Sequence, residues 1–223
     1  MEPKYPKTLE ALARYINQPH FPHQFRKFLY TQRHPKSESN HINFDSEEHV
    51  HFDGKIYVYD SAIARFYAPS DLCGAGGMYR ECIRSCPSWH NDGPRRDTVF
   101  VVLDESQAGM HGMLVARVLL FFSYYDAYLN KNMPCALVNW FVLDGDEPDE
   151  ATEMWVLRPE YEGRVQSLEV VHLDSIARGA HLLPVYGSGF LPEDFRYAVS
   201  LDVFTSYFVN HYIDHHSHEF LTG

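Results

Sequence analysis

Two stretches decide the fold: Leu114–Tyr125, LVARVLLFFSYY, and Cys135–Leu143, CALVNWFVL. Both are dense in β-branched, leucine and aromatic residues, and their apolar residues fall on odd and even positions alike. Successive side chains of a strand point to opposite faces. A run that is apolar at both parities therefore predicts a strand covered on both sides, running through the middle of a sheet. The similarity of the two runs predicts that they pair as a hairpin.

Shorter strands are predicted outward from this pair. Lys55–Asp60 and Ala62–Ala68 alternate aromatic or β-branched residues with polar ones, and Thr98–Leu103 is a compact apolar run after the turn Asn91-Asp92-Gly93-Pro94. Glu153–Leu157, Ser167–Leu173 and Ala180–Tyr186 complete the set, with the acidic turn DGDEPDE (Asp144–Glu150) between two of them. Helical periodicity marks both ends. Thr8 caps a helix carrying Leu9, Leu12, Ala13 and Ile16 and stopping near Pro19. Phe21–Thr31 has Pro22 in its first turn and Phe25, Phe28 and Leu29 as its stripe. At the other end, Ser200–His218 is predicted as one helix capped by Ser200, with Leu201, Phe204, Phe208 and Tyr212 in line. The expected fold is α+β and mostly β: an SH3-like or bromo-adjacent-homology-like barrel, or a curled antiparallel sheet, with N- and C-terminal helices. Three segments follow: a basic helical arm (1–36), a polar linker (37–54) and a β-rich body with the C-terminal helix (55–223).

The chain has 223 residues, of which 45% are hydrophobic, enough for one well-filled core. Its most apolar run, Leu114–Phe122, carries Arg117 and falls well short of the ~20 apolar residues of a membrane span, so no membrane partner is expected. Charged residues scattered through the first thirty leave no apolar signal-peptide core. With four cysteines and no Asn-x-Ser/Thr sequon, the expected setting is intracellular, nuclear or cytoplasmic. The formal charge is −11. Residues 1–36 carry seven Lys/Arg against Glu2 and Glu10, so the rest is strongly acidic and repels phosphate over any broad face. Only the arm offers a weak, local DNA contact.

The quoted strands stand in an order with other segments: ARFYAPSDLCGAGGM (Ala64–Met78), PRRDTVFVV (Pro94–Val102), VARVLLFFSY (Val115–Tyr124), PCALVNWF (Pro134–Phe141), GDEPDEATEMWVLRPE (Gly145–Glu160), HLDSIARGAHLLPVYG (His172–Gly187) and FVNHYIDHHSHEF (Phe208–Phe220). In this order they resemble a module of basidiomycete fungal proteins. That module occurs alone or near the C-terminus of transposase-like proteins of the Plavaka and Kyakuja-Dileera-Zisupton type. The resemblance covers roughly residues 55–220. It implies an accessory or orphaned domain of a transposon-derived protein, with no catalytic residue to carry over.

The chemistry-bearing residues point to binding before catalysis. Arg95 and Arg96 flank a turn and suit a carboxylate or phosphate. Tyr67, Trp140 and Trp155 lie on strands and would form an aromatic cage or peptide groove if they opened onto one face. The alternative is a zinc-dependent hydrolase. On the predicted tail helix His211, His215 and His218 share a face beside Asp214, and His49 and His51 point the same way before a strand. The stretch His211–His215 is one carboxylate away from the HxxEH pattern of inverted zinc proteases. Cys73, Cys82, Cys86 and His90 are spaced unlike a zinc knuckle and read as ordinary thiols with a surface histidine. Gly74–Gly77 lacks the remainder of a phosphate loop, and Gly187-Ser188-Gly189 is not a nucleophile elbow. The expectation is a non-catalytic interaction module for a protein or chromatin partner, with no resident cofactor.

Overall fold

The decisive stretches pair as expected in the computed structural model, which describes residues 5–34, 51–69, 75–91, 93–187, 189–191, 193, 195–196 and 199–222. Helices α1 (Leu9–Tyr15) and α2 (Phe21–Arg33) precede β1 (Ile56–Tyr59), β2 (Ser61–Tyr67), β3 (Met78–Cys86), β4 (Arg95–Arg96) and β5 (Thr98–Val102). Then come β6 (Met113–Asp126) and β7 (Lys131–Leu143), followed by β8 (Val156–Pro159), β9 (Tyr161–Glu162), β10 (Val165–Gln166) and β11 (Leu168–His172). The chain ends with β12 (Ile176–Ala180), β13 (Leu182–Pro184), α3 (Ser200–Val203), β14 (Tyr207–Val209) and α4 (His215–Thr222).

The β6–β7 hairpin runs in antiparallel register from Val115↔Phe141 to Asp126↔Lys131, with one irregularity between Val118 and Leu120. An extra residue at a bulge swaps side-chain parity. Ala116, Val118 and Phe121 thereby join one core cluster although their numbers change parity. The hairpin is longer than any neighbour. At one end β5 lies along β6 and β8 along β7; at the other, β1 flanks β6 and β11 flanks β7. β11 turns through the 3-10 segment Leu173–Ser175 into β12, which pairs with β5. The result is a nearly closed antiparallel, barrel-like sheet.

Its interior holds Val99, Val101, Ala116, Val118, Phe121, Ala136, Val138 and Trp140, with Ile83 of β3 buried among them. The β2–β3 hairpin packs against β12 and β6. Just before β3, Gly76 and Gly77 both stand at positive φ. A Cβ on Gly77 would meet the Tyr67 ring at 2.8 Å, so the backbone conformation and the close approach both favour glycine there. On the outer surface of the hairpin, α1 and α2 bury Leu9, Leu12, Phe21, Phe25 and Leu29 against Leu120, Phe122, Tyr124 and Leu137. The basic arm therefore shares its core with the sheet. Most of the expected linker, residues 35–50, lies outside the described residues. At the hairpin's other end Phe141, Trp155, Leu157, Tyr207 and Val209 pack with Leu221 of α4.

Three local expectations are corrected. The expected helix over Ser200–His218 is α3, strand β14 and α4 in turn. Tyr207 and Val209 are buried and Phe208 less so, a period-two pattern, and β14 is held between β8 and β13 by their backbone bonds. The expected strand Ala180–Tyr186 is divided at His181 between β12 and β13, which join different neighbours. Met78–Cys86, considered for its thiols, is the long strand β3.

Candidate functional site

A cleft of ≈ 510 Å³ opens between β3–β4 on one side and β12–β13 on the other, with Ser200, Leu201, Ile213 and Asp214 at its margin. Its floor is built around Arg178. The bulge in the β12–β5 pairing falls between Ile176 and Arg178, and the Arg178 side chain is only 4% exposed. Asp214 takes both of its terminal nitrogens: Nη1 donates at 3.0 Å and Nη2 at 2.6 Å. Nη1 also stands 2.7 Å from Nδ1 of His216; a guanidinium has no acceptor, so this imidazole nitrogen accepts the bond. The Phe66 ring lies 4.7 Å below the cation and stacks on both Tyr79 and His216. Asp214 in turn accepts the backbone N–H of Ser217 at 2.5 Å, in the first turn of α4. Burial raises the Asp214 carboxyl, but the Arg178 and Ser217 bonds outweigh it and hold the group below its ordinary range. One carboxylate thus fastens the C-terminal helix to the barrel.

The other charges of the cleft are matched in the same way, with one exception. Arg95 donates to Asp97 through Nε at 2.7 Å and Nη2 at 3.3 Å, and Asp97 also accepts the Arg84 N–H. Arg84 and Arg95 both lie over Trp89, at 4.5 and 4.8 Å. Glu81 accepts the Gly179 N–H at 2.8 Å; a Cβ at 179 would come within 2.7 Å of its Oε1, so only glycine admits the carboxylate this closely. Arg117, on the sheet beside α3, donates to Asp202 at 2.5 Å. The exception is Arg96. Half-buried, its side chain makes no hydrogen bond or ion pair among the described residues. Burial first, then the like charge of Arg117, hold its guanidinium below the ordinary arginine range, with Asp202 opposing. A half-buried guanidinium whose donors meet no carboxylate has the hydrogen-bonding capacity to receive one.

The expected binding residues are divided. Arg95 and Arg96 share this cleft. Tyr67 stands 63% exposed on the β2–β3 hairpin, Trp140 is 5% exposed within the barrel and Trp155 is 9% exposed in the cluster under α4. They belong to three surroundings and make no common cage. Trp140 donates to Glu169 at 2.8 Å and lines a separate cleft of ≈ 310 Å³ with Gln24 and Thr31 of α2. Trp155 meets His111 edge-on.

The histidines of the alternative zinc reading, so far as they are described, are also dispersed. His49 and Cys73 lie outside the described residues. His51 lines a cleft with Tyr125 and Tyr128 at the tip of the long hairpin. His211 precedes α4 and is 3% exposed, 5.2 Å from His218 between ring centroids, while His215 is exposed at the start of α4. Asp214, which the HxxDH reading would leave facing the metal, is occupied by Arg178. No group of three or more His, Cys, Asp or Glu converges on one point among the described residues. Cys82, Cys86 and Cys135 are free thiols, and burial pushes the Cys135 thiol well above the ordinary range.

His211 has a consequence in solution. Burial, then the neighbouring His218, hold its imidazole below the ordinary histidine range. Below about pH 6.5 an unfolded chain protonates this group while the folded one resists. Its stabilising contribution is complete above that pH and is lost as pH falls through the depressed value. The melting temperature is expected to drop between about pH 7 and pH 5.5, and His211→Gln is expected to flatten the drop. A profile of unchanged slope in the variant would remove His211 as the cause.

The sequence reading overlooked Arg178 and Glu81, and placed Asp214 beside the tail histidines when it is the partner of Arg178. One signal was visible, a lone arginine in the apolar run SIARGA, but its partner lies 36 positions onward. No family model matches the chain, and neither a curated protein nor a solved structure matches it.

Proposed function

We propose that the chain is a non-catalytic interaction module that holds an acidic segment of a protein partner, a chromatin protein included, in the cleft beside Arg96. The observation that carries this reading is the unmatched Arg96 guanidinium in a cleft whose other arginines, Arg95 and Arg178, already have carboxylates. A carboxylate entering the cleft gains a charge-assisted bond and offsets the like charge of Arg117 felt by Arg96. Thr98 spends its hydroxyl proton on the Ala180 carbonyl and Arg178 is held over Phe66 by Asp214, so neither is positioned as a nucleophile or proton-transfer group. The resemblance to an accessory domain of transposase-like proteins points the same way.

A short Asp/Glu-rich peptide, titrated against a version with Lys replacing each acid, tests the reading. The acidic peptide is expected to bind, and Arg96→Ala to weaken it by about tenfold or more, the worth of one charge-assisted bond. Arg164→Ala, the same charge change at an exposed site, is expected to leave the affinity nearly unchanged. Equal binding of both peptides, or an unaffected Arg96→Ala variant, would overturn the proposal.

A further inference from the structure

The long hairpin extends beyond the barrel, and its two faces meet different fates there. One face is closed by α1, α2 and Ile56 of β1 over Phe122 and Tyr124. The other carries Tyr57 and Tyr59 of β1 and Ser123 and Tyr125 of β6. The register Tyr57↔Ser123 and Tyr59↔Phe121 places these residues on one side of the sheet. Tyr125, two residues beyond Ser123, is then a diagonal neighbour of Tyr57, within reach of an aromatic ring. All three tyrosines are exposed, Tyr125 by 50%, and Tyr128 in the adjoining turn by 69%.

Tyr57, Tyr125 and Tyr128 line a cleft of ≈ 520 Å³ together with Arg33, His51, Asp53 and Lys55. Lys7 lies over the Tyr57 ring at 5.5 Å and Arg33 over the Tyr128 ring at 5.6 Å. Asp126 neutralises Arg33 from beneath. Among the described residues Lys7 and Lys55 have no ion-pair partner, and the one carboxylate lining this cleft is Asp53.

We infer that this face binds single-stranded nucleic acid, the bases stacking on Tyr57, Tyr125 and Tyr128 and the phosphates meeting Lys7 and Lys55. Exposed rings gathered from β1, β6 and the adjoining turn, with Lys55 beside them and Lys7 and Arg33 each over one ring, supply the aromatic surface and the cations that a single-stranded ligand requires. A duplex keeps its bases stacked and would offer only phosphates, which the acidic remainder of the chain repels. The surface shares no lining residue with the Arg96 cleft and does not depend on it.

Fluorescence anisotropy with a labelled oligothymidylate of about 12 nucleotides at low salt, beside a duplex of equal length, tests the inference. The single strand is expected to bind more tightly than the duplex. Tyr57→Ala and Tyr125→Ala are each expected to cost about tenfold, and Lys55→Ala to reduce the slope of log affinity against log salt by about 0.7. Both tyrosines are exposed, and far-UV circular dichroism checks that the variants stay folded. Absent binding of the single strand, equal binding of the duplex, or full affinity in folded Tyr57→Ala and Tyr125→Ala variants would each overturn it. An Asp/Glu-rich peptide displacing the oligonucleotide only through Arg96 would likewise overturn it, by placing the nucleic acid in the other cleft.

Discussion

Asp214→Ala is expected to lower the free energy of unfolding by about 3–5 kcal/mol, the usual cost of leaving one member of a buried ion pair uncompensated. The Arg178 guanidinium cannot turn to solvent, since its side chain is 4% exposed and lies over Phe66. Its remaining hydrogen-bond neighbour, Nδ1 of His216, offers a single acceptor in place of a carboxylate. The same substitution removes the acceptor of the Ser217 N–H and so uncaps α4, a loss of about 1 kcal/mol within that total. Urea unfolding measures this as a lower midpoint at unchanged slope. Replacing both partners by apolar residues, as in Arg178→Met with Asp214→Leu, is expected to be milder than Asp214→Ala alone. Equal losses in the single and double variants would show that the helix cap, and not the stranded cation, sets the cost. The depressed Asp214 carboxyl adds a pH signature. Its contribution is present above the unfolded value near pH 3.9 and fades as pH falls through the lower folded one.

The second large effect is expected at the opposite end of the molecule. Asp126 is fully buried where β6 turns into β7, and it accepts Nε and Nη2 of Arg33, both at 3.0 Å. It also accepts the backbone N–H groups of Tyr128 at 2.8 Å and Leu129 at 3.2 Å. One side chain therefore closes the turn and ties down the end of α2. Burial raises its carboxyl, but the four donors outweigh this and leave it below the ordinary range. Asp126→Ala strands two amide donors and a guanidinium that is 17% exposed, so about 3 kcal/mol of stability is expected to be lost. Asp126→Asn, which retains acceptor capacity but not charge, is expected to lose less. Hydrogen exchange would show the loss first at Tyr128, Leu129 and the last turn of α2. Unchanged protection there in Asp126→Ala would mean that the turn is held by its backbone alone.

The legible parts of the fold are those whose cause is local. Leu114–Tyr125 and Cys135–Leu143 are apolar at both parities because the sheet is covered on both sides, and the hairpin followed from that pattern. The helices Leu9–Tyr15 and Phe21–Arg33 were visible through their apolar stripes for the same reason. β14 was hidden because Leu201, Phe204, Phe208 and Tyr212 fit a helical repeat, while the strand is imposed by β8 and β13 from distant sequence. β3 was hidden because charged residues interrupt it, Arg80, Glu81 and Arg84, and one of these, Glu81, lines the cleft. Of the candidate site, Arg95 and Arg96 were legible as adjacent cations after a turn. That one is matched and the other is not depends on Asp97, Arg117 and Asp202, an arrangement that no spacing rule contains.

The central claim is that Arg96 receives a carboxylate while its neighbours keep the partners they have. The Nε–Hε resonances of the arginines, followed by NMR during titration with the Asp/Glu-rich peptide, read that claim directly. The Arg96 signal is expected to move saturably, with those of Arg95 and Arg178 nearly stationary. A stationary Arg96 signal at saturating peptide, or displacement of Arg95 in its place, would contradict it.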